Sequence, residues 1–108
     1  MKHEIKEEGD NVIVLLSGDI DLEFSGDLRE ILMETLSKGR TIIVDMSDVA
    51  LIDSSGIASL LEAFQNARKK GKDFIIAAAN QTVMRVFNLA RLETVFDLED
   101  SVENALNR

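Results

Sequence analysis

The chain has 108 residues, 45% of them apolar and 30% charged, and twelve basic against twenty acidic side chains give a formal net charge of −8. This is the length of one domain, residues 1–108, with a single core, and the balance of a globular chain rather than a disordered one. The acidic excess excludes nucleic acid and an anionic membrane surface as partners, since both call for a basic face.

The first predicted strand is Ile5 to Glu8, and Gly9-Asp10-Asn11 supplies the turn residues of a hairpin. The second, Val12 to Leu16, is apolar without alternation and so reads as a central strand covered on both faces. The polar stretch Ser17-Gly18-Asp19-Ile20-Asp21 lies at its C-terminal end. Ser25 is the expected cap of a first helix carrying Leu28, Ile31, Leu32 and Leu36, and Gly39 its C-terminal stop.

A strand from Thr41 to Met46 then leads through a polar turn to a second helix that opens at Asp53-Ser54-Ser55-Gly56. Ile57, Leu60, Leu61, Phe64 and Ala67 form its apolar stripe. Ser59, Glu62, Gln65, Asn66 and Lys69 lie mostly off that stripe and are expected to face water. Arg68-Lys69-Lys70 complements the negative end of the helix dipole, and Gly71 ends the helix. Phe74 to Ala78 is a further strand. Asn80 or Thr82 caps a third helix with Val83, Val86, Phe87 and Ala90 on its inner face. Thr94-Val95-Phe96 reads as an edge strand. Asp100 is the expected cap of a last helix that turns Val102, Ala105 and Leu106 inward.

The order β-β-α-β-α-β-α-β-α predicts an α/β domain: a mixed, mostly parallel sheet of about five strands packed with four helices. Functional groups in such sheets gather beyond the C-terminal ends of the strands. Asp19 and Asp21 stand at one such end and Asp53 to Gly56 at another, so the two clusters are expected on one edge. Ser54 and Ser55 sit where a helix N-terminus offers free N–H groups and partial positive charge. From spacing alone, helix capping is the simpler reading for both serines.

The chain lacks cysteine, which sets aside disulfides and thiolate metal sites. His3, the single histidine, lies near a frayed N-terminus, which sets aside imidazole chemistry. No apolar run reaches the ~18 residues of a membrane span, and Met1-Lys2-His3-Glu4 does not begin a secretory signal. The expected location is cytoplasmic.

Two segments resemble the STAS family, specifically the bacterial anti-sigma factor antagonists. Val14-Leu15-Leu16-Ser17-Gly18-Asp19-Ile20-Asp21 is similar to the family's Leu-x-Gly-Glu-Leu-Asp segment, with Asp19 in place of the usual Glu. Val44 to Val49 followed by Ile52-Asp53-Ser54-Ser55-Gly56-Ile57 resembles its Asp-Ser-Ser/Thr-Gly signature. The resemblance implies a single STAS-type domain that switches partners. Ser54 matches the serine phosphorylated by the anti-sigma factor, itself a histidine-kinase-like serine kinase. The unphosphorylated antagonist binds that kinase and frees the sigma factor; the phosphorylated form is released, and a serine phosphatase resets it. Asp19, Asp21, Asp53, Ser55, Gly56, Ser59 and Glu62 are the expected partner-binding residues around Ser54. Relatives often carry glycine near Ala90-Arg91-Leu92, and its absence here puts that turn in question.

With Ser54 as phosphoacceptor, Ser55 becomes the better capping candidate. An added phosphate would meet the helix N–H donors while Asp53, Asp19 and Asp21 repel it, so the fold is expected to survive and the effect to fall on the partner. No catalytic residue, cofactor or metal is expected: the paired carboxylates lack a third ligand. A phospho-aspartate receiver built on Asp45 lacks the required acidic pair and lysine. A serine hydrolase lacks its histidine. The alternatives are a STAS domain that binds a nucleotide or lipid near Asp21 and Ser54, or a scaffold subunit of a larger assembly.

Overall fold

A computed structural model describes residues 1–108. Five strands form one sheet in sequence order: β1 (Lys2–Glu8), β2 (Asn11–Ile20), β3 (Thr41–Ile52), β4 (Asp73–Ala77) and β5 (Asp97–Glu99). β1 runs antiparallel to β2 through a Gly9-Asp10 turn, with Gly9 at φ +60°, and the other neighbours pair in parallel. Four helices, α1 (Ser25–Thr35), α2 (Ser54–Lys69), α3 (Gln81–Leu89) and the short α4 (Val102–Leu106), complete the expected order.

The unbroken apolar runs follow from burial on two faces. Alternate residues Val12, Val14, Leu16, Ile42, Val44, Met46, Phe74 and Ile76 join the main core, where α1 contributes Leu28 and Leu32, α2 Leu60 and Ala63, and α3 Val83 and Phe87. Their strand neighbours Ile13, Ile43, Ile75 and Ala77 point the other way, onto Ala105 of α4 with Val102 and Leu106 beside it. Period-two side chains with both faces covered leave no polar alternation to read. Phe64, Phe74, Phe87 and Phe96 form one aromatic group, with centroids 5.3–6.3 Å apart in the contacting pairs.

Several boundaries differ from the sequence expectation. β1 begins at Lys2, so His3 is paired with Leu16 rather than frayed. The polar Ser47-Asp48 is strand, not turn: β3 continues to Ile52 because β2 continues beside it. Between the pairs Leu15–Asp45 and Asp19–Leu51, β2 advances four residues and β3 six, through two register shifts. Bulges of this kind carry unpaired residues without ending the strand. Gly18 takes φ +85° in this stretch.

α1 is preceded by Phe24 without a side-chain cap, and the Ser25 hydroxyl donates to the Leu22 carbonyl instead. Gly39 is not a helix stop: its place is dictated by close approach, since a Cβ there would lie 2.6 Å from the Asp10 carbonyl oxygen. Gly71 does end α2, at φ +68°, with Lys72 N–H donating to Ala67 O and Gly71 N–H to Arg68 O, the paired closure of a glycine-terminated helix. Thr94-Val95-Phe96 is not the last strand. Leu92–Thr94 is a 3-10 turn and Phe96 is buried, so pairing starts at Asp97, opposite Ile75. Ser101 rather than Asp100 caps α4, accepting from Asn104 N–H at 3.0 Å. Ala90 is exposed rather than inward-facing.

Candidate functional site

The extended β2 and β3 end side by side. Asp19 pairs with Leu51 and Ile20 with Ile52, and the Asp53 N–H then donates to the Ile20 carbonyl at 3.1 Å. The ladder thus delivers Asp53 to the start of α2 next to Asp19 and Asp21, uniting the two clusters on one edge as expected.

Asp53 is extended (φ −106°, ψ −176°) and is the cap of α2. One carboxylate oxygen, Oδ1, accepts from Ser55 N–H at 3.0 Å, Gly56 N–H at 3.1 Å and the Ser55 hydroxyl at 2.6 Å. Ser55 is therefore not the cap; its hydroxyl is a donor to the cap. The Ser55 hydroxyl, then the Gly56 N–H, hold the Asp53 carboxyl below its ordinary range, outweighing partial burial, as expected for a carboxylate bonded in its charged form. Because Ile57 N–H donates to the Asp53 carbonyl, three of the four first-turn donors that an added phosphate was expected to meet are already engaged, and only the Ser54 N–H is left.

Ser54 stands apart from this network. It is the first residue of α2, exposed, and its hydroxyl makes no hydrogen bond within the chain. The next residue's hydroxyl is tied down at 2.6 Å. Of two adjacent serines, one is presented and one is spent on structure.

Gly56 is buried against both strand ends: a Cβ there would sit 2.7 Å from Ile20 Cγ2, 2.9 Å from Ile52 Cγ1 and 3.3 Å from the Ile20 carbonyl oxygen. The Asp-Ser-Ser-Gly segment is thus a packing solution as well as a presentation device. Asp53 caps, Ser55 braces the cap, and Gly56 lets α2 close onto the β2–β3 end.

A sequence profile of the STAS domain matches residues 2–105. The chain belongs to the STAS domain family. An anti-sigma-B factor antagonist of Bacillus subtilis (strain 168) is 22% identical over 103 residues, spanning 95% of this chain and 94% of the relative. An anti-sigma factor antagonist structure from Mycobacterium paratuberculosis is similar with a TM-score of 0.89 and 20% identity, covering 98% of this chain and 91% of the other. The Bacillus protein SpoIIAA is similar in its unphosphorylated form (TM-score 0.82, 20% identity, 99% and 95% covered). Its phosphorylated form is similar too (TM-score 0.76, 19% identity, 99% and 98% covered).

Within this STAS domain the remaining predicted site residues divide. Asp19 is exposed on the bulged end of β2. Asp21 is half-buried and accepts from Glu23 N–H at 3.1 Å, while its carbonyl takes the Phe24 and Ser25 N–H groups. It forms the turn into α1 and does not bond the Ser54 hydroxyl. Ser59 is a correction: it is buried, not part of a water-facing surface, and donates to Ser25 O at 2.9 Å and Ser55 O at 3.3 Å. α1 covers this flank of α2, and the small hydroxyl lets the two helices approach. Gly56, also buried, is likewise a packing residue and not a contact surface. Glu62 keeps partial exposure but is bound to Arg29 of α1 at 2.8 Å, which lowers its pKa and raises that of Arg29. Asn66 is half-buried against Met33, leaving Gln65 and Lys69 as the exposed members of that expected face.

The sequence reading missed two apolar residues at the same edge. Leu22, in the loop after β2, is 78% exposed with its N–H beside the Asp53 carboxylate, and Leu51, opposite Asp19, is 49% exposed. A large apolar side chain within a loop of carboxylates was the available signal. The surface clefts lie elsewhere, along α3, between β1 and α1, beside β5, and at two places on the β1–β2–β3 face of the sheet, and none is lined by Asp21, Asp53 or Ser54.

Proposed function

We propose that this chain is an anti-sigma factor antagonist, a regulatory rather than catalytic protein, switched by phosphorylation of Ser54. The observation that carries this reading is the division of labour between the two serines. Ser54 offers an exposed, unbonded hydroxyl, whereas phosphorylating Ser55 would break its bond to Asp53 and set a dianion against that carboxylate. The partner is an anti-sigma factor with histidine-kinase-like serine kinase activity, which supplies the base, the nucleotide and the basic surface. A serine phosphatase restores the hydroxyl.

In the unphosphorylated state Leu22 and Leu51 are the apolar anchors of the interface, with Asp19, Asp21 and Asp53 around them steering a basic patch into register. Phosphorylation adds roughly −1.5 to −2 charges at Ser54. With the Ser55 and Gly56 N–H groups taken by Asp53, the dianion has only the Ser54 N–H to meet at the helix start and faces the Asp53 carboxylate beside it. The domain keeps its fold, and the cost falls on the interface, which must desolvate an unpaired charge.

Calorimetric titration against the histidine-kinase-like serine kinases of the same organism tests the reading. The wild-type chain should bind one of them, Ser54→Asp should weaken binding by about a hundredfold or more, and Leu22→Ala should weaken it by about tenfold. Equal affinity of Ser54→Asp and wild type would refute it.

A further inference from the structure

β1 is an edge strand whose far side is free. All its side chains are exposed except the half-buried Ile5, and its backbone groups bond only within the β1–β2 ladder. Lys2, Glu4, Lys6 and Glu8 share one face, opposite Ser17, Leu15, Ile13 and Asn11 of β2. Those partners are neutral, and none of the chain's ion pairs uses any of the four charges. Alternating charges on an edge can simply deter sticking. The order of the signs here does something more specific.

We propose that the free edge of β1 pairs with β1 of a second copy, antiparallel and centred on Ile5. This register sets Lys2 opposite Glu8, Glu4 opposite Lys6 and His3 opposite Glu7, each twice, with the two Ile5 side chains meeting on the symmetry axis. Directly opposed residues in an antiparallel ladder must present their backbone groups in the same sense, so the pairing centre moves one residue at a time. The neighbouring registers are repulsive. Centring on Glu4 opposes Glu4 to Glu4 and Lys2 to Lys6; centring on Lys6 opposes Lys6 to Lys6 and Glu4 to Glu8. Opposite charges facing each other across strands stabilise the pair and like charges destabilise it, so the sequence Lys-His-Glu-Ile-Lys-Glu-Glu admits one full-length register and resists the two beside it.

The product is a two-fold dimer with a continuous ten-stranded sheet, a self-complementary interface of the commonest symmetry. Two copies of net charge −8 repel at long range, but that repulsion is screened beyond roughly 8 Å at physiological ionic strength, whereas the facing pairs act within it. One strand per copy makes a small interface, so association is weak and visible at high concentration. The antiparallel arrangement points the two Ser54 edges in opposite directions. Both stay open to a partner, and dimer formation is independent of phosphorylation.

Sedimentation velocity across a concentration series tests this with the full chain. Wild type should associate reversibly to a dimer. Glu4→Lys and Lys6→Glu should each weaken the dimer by at least about tenfold, although Glu4→Lys lowers the net negative charge. A one-to-one mixture of the two variants, which restores both opposed pairs, should associate as wild type does, and so should the double variant. A wild type that stays monomeric at millimolar concentration, a Glu4→Lys chain that dimerises as well as wild type, or a mixture no better than its components would overturn the proposal.

Discussion

Asp53 does the most at the level of single residues, because one carboxylate oxygen serves two backbone donors and a hydroxyl. Its folded pKa lies below the unfolded one, so it stabilises the fold above the unfolded value of about 3.9 and loses that contribution as pH falls through the folded value. Asp53→Asn keeps an acceptor for the N–H groups and removes the charge. Its Tm should therefore fall below that of wild type near neutral pH, and the gap should narrow and close as the pH falls through the depressed folded value; thermal melts at a series of pH values would reveal this, and a gap independent of pH would contradict it. Arg91 is a different case. It occupies the left-handed region at φ 58° just after α3, where its N–H closes the helix onto Asn88. The missing glycine noted in the sequence therefore leaves the turn intact but strained. Holding a non-glycine residue there costs roughly 1–2 kcal/mol, partly offset by the greater freedom glycine brings to the unfolded chain. Arg91→Gly should raise stability by about 0.5–1 kcal/mol and Tm by about 2–6 °C.

Among the elements, the long β3 matters most, since it carries Asp53 past the point where β4 ends. Asn80 secures it. Its Nδ2 donates to the Val49 and Ser47 carbonyls of the bulged stretch, and its Oδ1 accepts from Val83 N–H to cap α3. Asn80→Ala removes the cap and leaves strand carbonyls unpaired, a loss of about 2–4 kcal/mol. Asn80→Asp keeps the cap and loses the donor, so denaturant melts should place it between wild type and the alanine variant. The capping role of Asn80 was legible in the sequence; its grip on β3 was not, because Ser47-Asp48 looks like a turn until β2 is seen to run alongside. The same limit explains β5. Thr94-Val95-Phe96 has strand composition, yet the core takes Phe96 as a plug and pairing begins one residue later. Helix α2 offered a subtler signal: Ser55, Ser59, Ala63 and Ala67 recur every four residues, a stripe of small side chains. Three of them are buried, and Ser59 bonds to α1.

For the molecule as a whole, the element order, the mixed sheet and the placing of Asp19, Asp21 and Asp53 on one edge follow from patterns that any reader of the sequence has in hand. What was hidden is how that edge assigns its atoms: which serine is bonded, which acid caps, and that Leu22 and Leu51 stand bare between the carboxylates. The capping itself is local, two or three residues apart, and spacing allows either serine or the aspartate to do it; the choice is fixed where the Asp53 N–H and Gly56 close onto Ile20, more than thirty residues away. These assignments also bear on function, since they single out Ser54 as the free hydroxyl. The most direct measurement is intact mass with phosphosite mapping after incubation with ATP and each histidine-kinase-like serine kinase of the source organism. One added phosphate on Ser54, lost in Ser54→Ala and retained in Ser55→Ala, is the predicted result. Phosphate on Ser55, or none with any of these kinases, would contradict the account and return Ser54 to the role of a helix-terminal residue.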